Sequence, residues 1–178
     1  MPPNRQTVIF DNSPLETAKW IEQACAMSGV TFLGNDPIAE ELGKDPEARK
    51  VLEQRPDEHL TVFPQIGPYF QKALEKTLAA KKLSSAKLAL HSVNWFEYGT
   101  KPECAVLDLD PVKEQLEVGR KAGMKPEDIK KYEQMFGTRM QDTAKKNLTA
   151  DRILVLPPGT SDSQKAELAA AHLKKFVR

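Results

Sequence analysis

Six short apolar runs, separated by longer amphipathic segments, constrain the fold of this chain more than any other feature. Most of the runs are continuously apolar rather than alternating, which is typical of strands that helices cover on both faces of a parallel sheet. They span residues 7–10, 30–33, 60–63, 87–93, 104–109 and 152–156. The alternation of strands with helices predicts an α/β fold.

The segments between the runs have the periodicity of core-facing helices. In residues 64–82, for example, Ile66, Phe70, Leu74 and Leu78 recur every fourth position and form one apolar stripe. Only about ten residues separate the runs at 87–93 and 104–109, fewer than a parallel crossover needs, so an antiparallel hairpin is expected there. We therefore predict one three-layer domain over residues 1–178, with helices on both faces of a mixed, mostly parallel sheet of about five or six strands.

The charge balance excludes several classes of protein. Lys and Arg number 26 and Asp and Glu number 25, which leaves a formal net charge of +1. Such a chain is not held unfolded by self-repulsion. Nucleic acid is not expected as the main partner, because neutralising many phosphates requires a marked basic excess.

The sequence predicts a soluble protein of a reducing, cytoplasmic compartment. No secretory signal is expected, and no window approaches the roughly 18–20 apolar residues that a membrane span needs, so no membrane partner is expected. Cys25 and Cys104 form neither a CxxC pair nor a disulfide framework, and the three histidines lack the spacing of a zinc site.

Several acidic residues have a structural explanation as helix caps. Proline follows Ser, Asp or Lys at five predicted helix starts, where its fixed φ suits the first helical position. These pairs are Ser13-Pro14, Asp36-Pro37, Asp45-Pro46, Asp110-Pro111 and Lys125-Pro126. Ser161 and Gln164 have the spacing of a capping box.

Other carboxylates lie where predicted strands end. Asp11 ends the first run and Asp108 lies near the end of the fifth. In an open α/β sheet, ligands bind outside the carboxyl ends of the strands, so Asp11, Asp36 and Asp108 are candidate metal ligands. Clustered carboxylates suit Mg²⁺, which would permit phosphoester hydrolysis or nuclease chemistry. The sequence leaves the strand order open, and with it whether these carboxylates converge.

A short motif suggests roles for two of these aspartates. Residues 105–112, Ala-Val-Leu-Asp-Leu-Asp-Pro-Val, resemble the first motif of haloacid-dehalogenase-type phosphatases. That resemblance implies that Asp108 is the catalytic nucleophile and Asp110 the catalytic acid. Separately, residues 8–13 are similar to the start of PIN-type metal-dependent nucleases, in which an aspartate closes the first strand. Each match covers eight residues or fewer, and neither assigns the chain to a family.

The alternative function is a non-catalytic interaction or regulatory module that binds a protein partner. Trp95, Phe96 and Tyr98 form an aromatic-rich stretch near the expected hairpin tip. Aromatic side chains exposed there would mark a partner surface, whereas burial against a helix is the competing interpretation. The solvated faces of the helices provide a second possible surface for a partner.

Overall fold

A computed structural model describes residues 5–12, 17–54, 64–83 and 86–178. The predicted strand at 60–63 and the predicted cap at Ser13 lie outside these residues. The described strands are β1 (Gln6–Asp11), β2 (Thr31–Leu33), β3 (Lys87–His91), β4 (Cys104–Leu107) and β5 (Ile153–Val155). They form a five-stranded sheet in the order β2-β3-β1-β4-β5, and every pair of neighbours is parallel.

Helices connect the strands and cover both faces of the sheet. They are α1 (Lys19–Ser28), α2 (Asn35–Gly43), α3 (Pro46–Glu53), α4 (Gly67–Ala80), α5 (Asn94–Glu97), α6 (Asp110–Lys121), α7 (Pro126–Tyr132), α8 (Arg139–Asn147) and α9 (Asp162–Phe176). Short 3₁₀ turns lie at Pro64–Ile66 and Ala150–Arg152, and a π-helical turn at Glu133–Thr138 joins α7 to α8. The predicted three-layer α/β architecture is confirmed.

Two apolar cores lie on opposite faces of the sheet. Side chains alternate along β1, so Ile9 packs with the helices from α2 to α8, whereas Val8 and Phe10 pack with α1 and α9. The strands are buried on both faces, which explains why their sequences are continuously apolar.

The expected antiparallel hairpin between the runs at 87–93 and 104–109 is wrong. β3 ends at His91, two residues earlier than expected, and residues 92–103 lead to β4 through the short helix α5. That length suffices for a parallel crossover. β1 lies between β3 and β4, so the two strands do not pair with each other.

The predicted caps are confirmed in part. The Asp45 carboxylate accepts hydrogen bonds from the amides of Glu47 and Ala48, and Ser161 forms the capping box with Gln164. Asp36, in contrast, is not an N-cap, because α2 begins one residue earlier, at Asn35.

The helix that follows β1 and the helices that follow its two neighbouring strands lie on opposite faces of the sheet. The chain passes from β1 to α1 on one face, and from β3 and β4 to α5 and α6 on the other. Ligand sites in open α/β sheets form at the carboxyl ends of two neighbouring strands whose following connections go to opposite faces. Such an opening is expected on each side of β1. Among the described residues, no helix is long and apolar enough to cross a bilayer.

Candidate functional site at the carboxyl edge of the sheet

Asp11 and Asp108 meet at this edge through the backbone but not through their side chains. β1 and β4 are adjacent and parallel, and the Asp108 amide donates a 2.9 Å hydrogen bond to the Asp11 carbonyl oxygen. The Asp11 carboxylate accepts from the amide of Val93, which belongs to the α2–α8 core, whereas the Asp108 carboxylate accepts from Lys165 of α9. The two carboxylates therefore leave the sheet on opposite faces.

A strained turn follows β3 beside Asp11. Ser92 has a φ of 95°, in the left-handed region that residues other than glycine rarely adopt. Its amide donates a 2.7 Å bond to Phe10, and the next amide, of Val93, donates a 2.8 Å bond to Asp11 Oδ2. Asp11, which is 2% exposed, therefore anchors the turn from β3 into α5.

His91 and Asn12 form a second polar contact at the edge. His91 Nε2 lies 2.5 Å from Asn12 Oδ1, and Asn12 is buried. Burial lowers the pKa of His91, and the negative charge of Asp11 opposes that shift only in part. Because imidazole has an ordinary pKa near 6.5, this shift favours a neutral His91 at neutral pH.

An open cleft of about 1100 Å³ lies at the ends of β1, β2 and β3. Asp11, His91 and Ser92 line it together with Asn35 and Asp36 from the start of α2. Asn35 fixes this wall, because its amide nitrogen donates 2.9 Å to the His91 carbonyl and its oxygen accepts 3.2 Å from the Trp95 indole. The cleft has room for a small ligand, and several of its lining side chains are charged or polar.

The cleft is acidic. Asp11, Glu22 and Asp36 contribute carboxylates to its lining, whereas Lys81 is the only lysine or arginine among the described lining residues. With His91 neutral, the carboxylates exceed the cations by two. An anionic ligand entering this cleft would need an accompanying cation to offset the repulsion.

A buried ion-pair network occupies the opening on the other side of β1. Lys165 Nζ lies 2.8 Å from Asp108 Oδ2 and 3.6 Å from Asp110 Oδ2. Asp108 Oδ1 also accepts from the Asp110 amide, and Asp110 Oδ2 accepts from the Gly159 amide. The network ties β4 and α6 to α9 and to the loop that precedes α9.

Lys165 is held in its charged form. Burial lowers the pKa of its ammonium, but the hydrogen bond that it donates to Asp108 and the charges of Asp108, Asp110 and Asp162 outweigh this effect, and the pKa is raised. The adjoining cavity has a volume of only about 190 Å³. Lys165 is therefore the counterion of Asp108 and Asp110 at this opening, and little room remains for an organic ligand.

The predicted metal ligands are divided between the two sides of β1. Asp11 and Asp36 line the large cleft, and Asp108 lies in the lysine network. Within the described parts of the chain, no group of three or more His, Cys, Asp or Glu side chains is placed to hold a metal ion. Mg²⁺ binding stays a prediction, as do the catalytic roles of Asp108 and Asp110.

The candidate partner surface around Trp95 and Phe96 is buried rather than exposed. Trp95 and Phe96 are 2% and 7% exposed and belong to the core on the α2–α8 face. Tyr98 stacks on Phe70 of α4 with ring centroids 4.4 Å apart. Trp95 and Tyr98 both pack on Phe70 and hold the β3–β4 crossover against α4, so of the two interpretations burial is the one observed for Trp95 and Phe96.

The two cysteines are structural. Both are buried on the α1–α9 face, and burial is the main cause that raises the pKa of each thiol to about 12. A thiol with this pKa is almost entirely protonated at neutral pH, and the protonated form is a poor nucleophile.

Sequence reasoning missed three residues of the edge. Lys165 lies four residues before Ala169 and eight before Leu173, both on the apolar stripe of α9, so a lysine within an apolar stripe could have drawn attention to it. Asn12 and His91 carried no comparable signal, because their contact joins residues 79 positions apart.

The sequence matches no protein-family model and no curated protein.

Proposed function

We propose that this protein is a divalent-metal-dependent phosphoester hydrolase whose site is the cleft at the ends of β1, β2 and β3. The proposal is supported chiefly by one observation: Asp11, at the end of β1, and Asp36, at the start of α2, line the same open cleft. Clefts in this position of a parallel sheet are the usual ligand sites of the architecture.

The acidity of the cleft supports a divalent cation as cofactor. A phosphoester would be repelled by Asp11, Glu22 and Asp36, whereas Mg²⁺ between the carboxylates and the phosphate would reverse that repulsion. Mg²⁺ keeps several waters and is often bound through one or two carboxylates plus substrate phosphate, so it does not require a cluster of three protein ligands. When bound, it would stabilise charge on the phosphoryl oxygens.

In this proposal the chain's own residues position the substrate. Asp11 and Asp36 would hold the cation, and the hydrogen bond from the Val93 amide to Asp11 Oδ2 fixes the Asp11 carboxylate at the cleft wall. Asp108 and Asp110 are less favoured as nucleophile and acid, because Lys165 engages both of them. Their role would be to hold α9 against the edge of the sheet.

The test is hydrolysis of p-nitrophenyl phosphate and bis(p-nitrophenyl) phosphate with Mg²⁺ or Mn²⁺. We expect metal-dependent turnover that EDTA abolishes and that Asp11→Asn and Asp36→Asn each lower by about 100-fold or more, since both remove charge that holds the cation. Asp128→Asn, on the exposed face of α7, is the matched control and should keep full activity. Full activity in Asp11→Asn, or no turnover with either metal, would reject the proposal.

The alternative is the non-catalytic interaction module. It is favoured by the exposure of two large apolar side chains, Val118 on α6 at 62% and Met124, between α6 and α7, at 43%. Exposed apolar residues that cluster often mark contact surfaces. Val118→Asp and Met124→Asp should leave phosphoester turnover unchanged if the protein is the proposed hydrolase. A folded wild-type protein without any turnover would favour the module instead.

A further inference from the structure

The contact between His91 and Asn12 determines which nitrogen of the histidine carries the proton. His91 Nε2 lies 2.5 Å from Asn12 Oδ1. An amide oxygen can only accept a hydrogen bond, so Nε2 must be the donor. In a neutral imidazole, the other nitrogen, Nδ1, then keeps its lone pair as an acceptor.

The surroundings fix the backbone of His91 at the cleft wall. The His91 backbone pairs with Phe10 in the sheet, and its carbonyl accepts from Asn35 at the start of α2. The next residue, Ser92, has its amide bonded to Phe10, which fixes the chain direction directly after the ring. His91 is thus placed by β1, α2 and the turn after β3 at the same time.

Nδ1 is the nitrogen that remains for a ligand. Among the described residues, Nδ1 has no hydrogen-bond partner, and His91 lines the 1100 Å³ cleft. The nearby Asp11 Oδ2 is engaged by the Val93 amide. A fixed imidazole with one free acceptor nitrogen in a polar cleft has the arrangement needed to accept a hydrogen bond from a substrate or an attacking water.

We propose that Asn12 is a positioning residue that holds neutral His91 as the Nε2–H tautomer, so that Nδ1 accepts a hydrogen bond from the substrate or the attacking water in the cleft. This inference rests on the proposed hydrolase function for its chemistry. The tautomer itself can be measured without any substrate, so the two claims can fail separately.

The test is ¹⁵N NMR of protein labelled at its histidine ring nitrogens, at a pH where His91 is neutral. Signals are assigned with His59→Gln, His91→Gln and His172→Gln variants. We expect the wild-type His91 signals to show a protonated Nε2 and an unprotonated Nδ1. A protonated Nδ1 would overturn the proposal. The tautomer is measured in the wild-type protein, so this test does not depend on whether an Asn12 variant folds.

Variants at Asn12 then test the positioning role. Asn12→Ala should shift His91 towards a mixture of tautomers, whereas Asn12→Asp should keep the Nε2–H form because a carboxylate also accepts from Nε2. Asn147→Ala, at the exposed end of α8, is the control and should leave the His91 signals unchanged. An unchanged tautomer in folded Asn12→Ala would contradict the positioning role.

Kinetics separate this inference from the proposed function. If turnover of the nitrophenyl substrates is found, Asn12→Ala should lower kcat by about 10-fold or more with little change in KM, and Asn12→Asp should recover much of it. Equal kcat values for wild type and folded Asn12→Ala would overturn the positioning role while leaving the hydrolase intact. The Nε2–H tautomer in a protein without turnover would reject the hydrolase, and with it the role of Nδ1 towards a substrate.

Discussion

The amide of Asp108 donates a 2.9 Å hydrogen bond to the carbonyl oxygen of Asp11, yet the two carboxylates lie on opposite faces of the sheet. This follows from the parallel register, in which Asp11 is paired with Leu107 and Asp108 is one residue further along. Because side chains alternate across a strand, a shift of one residue reverses the face. The two aspartates thus have different environments: Asp11 lines an open cleft, and Asp108 forms a buried ion pair with Lys165.

Lys165→Met is expected to destabilise the fold by about 3 kcal/mol, the scale for a buried ion pair that loses one partner. The reason is that Asp108, which is 1% exposed, would remain buried without its counterion. Urea unfolding measures the change through the transition midpoint and slope. The matched control is Lys174→Met, at an exposed position of the same helix, which should change stability little.

Adding Asp108→Asn to Lys165→Met should recover part of that loss, since the second change removes the unpaired charge. If the two side chains do not interact, the stability losses of Lys165→Met and Asp108→Asn should simply add in the double variant. That result would contradict the ion-pair network.

His172 should make the protein less stable as the pH falls below about 6.5. Burial lowers the pKa of His172 in the folded state, and Lys175 adds to this, while the Arg152 carbonyl and Asp151 oppose it. The unfolded chain therefore binds a proton at a higher pH than the folded chain, so stability decreases as the pH falls through that window. His172→Gln should flatten the decrease by up to about 1.4 kcal/mol per pH unit.

Urea unfolding between pH 5 and pH 7 measures this slope. Glu167→Gln, which removes an exposed carboxyl group of the same helix, is the control and should leave the slope unchanged. A His172→Gln protein with the wild-type slope would contradict a lowered pKa at this position.

Both tryptophans should fluoresce as buried side chains. Trp20 and Trp95 are each 2% exposed, and they are the two tryptophans of the chain. Trp20→Phe leaves Trp95 as the single emitter, and we expect a blue-shifted emission maximum with weak acrylamide quenching. Quenching as strong as that of the urea-unfolded protein would show that Trp95 is exposed and would restore the partner-surface interpretation.

Much of the fold could be predicted from local patterns. Continuous apolar runs indicated a sheet covered on both faces, and the caps at Asp45 and Ser161 form as their spacing predicts. The hairpin was mispredicted because β3 ends at His91, where Ser92 has a positive φ and donates its amide to Phe10 of β1, a long-range contact that the local sequence does not reveal.

The candidate site could be predicted only in part. The position of Asp11 at a strand end could be predicted, because the apolar residues Val8, Ile9 and Phe10 precede it. The division of the carboxylates between two faces could not be predicted, because it depends on the register of β1 against β4. The Asn12–His91 contact likewise arises only when β3 is placed beside β1.

The most direct measurement is Mn²⁺ binding by isothermal titration calorimetry to the wild type and to two single-charge variants. We predict that the wild type binds Mn²⁺, that Asp11→Asn weakens binding at least tenfold, and that Asp110→Asn, which alters the lysine network instead, leaves it nearly unchanged. Asp11→Asn with undiminished binding, Asp110→Asn without binding, or a wild type that binds no Mn²⁺ would contradict the assignment of the metal site to the cleft beside Asp11.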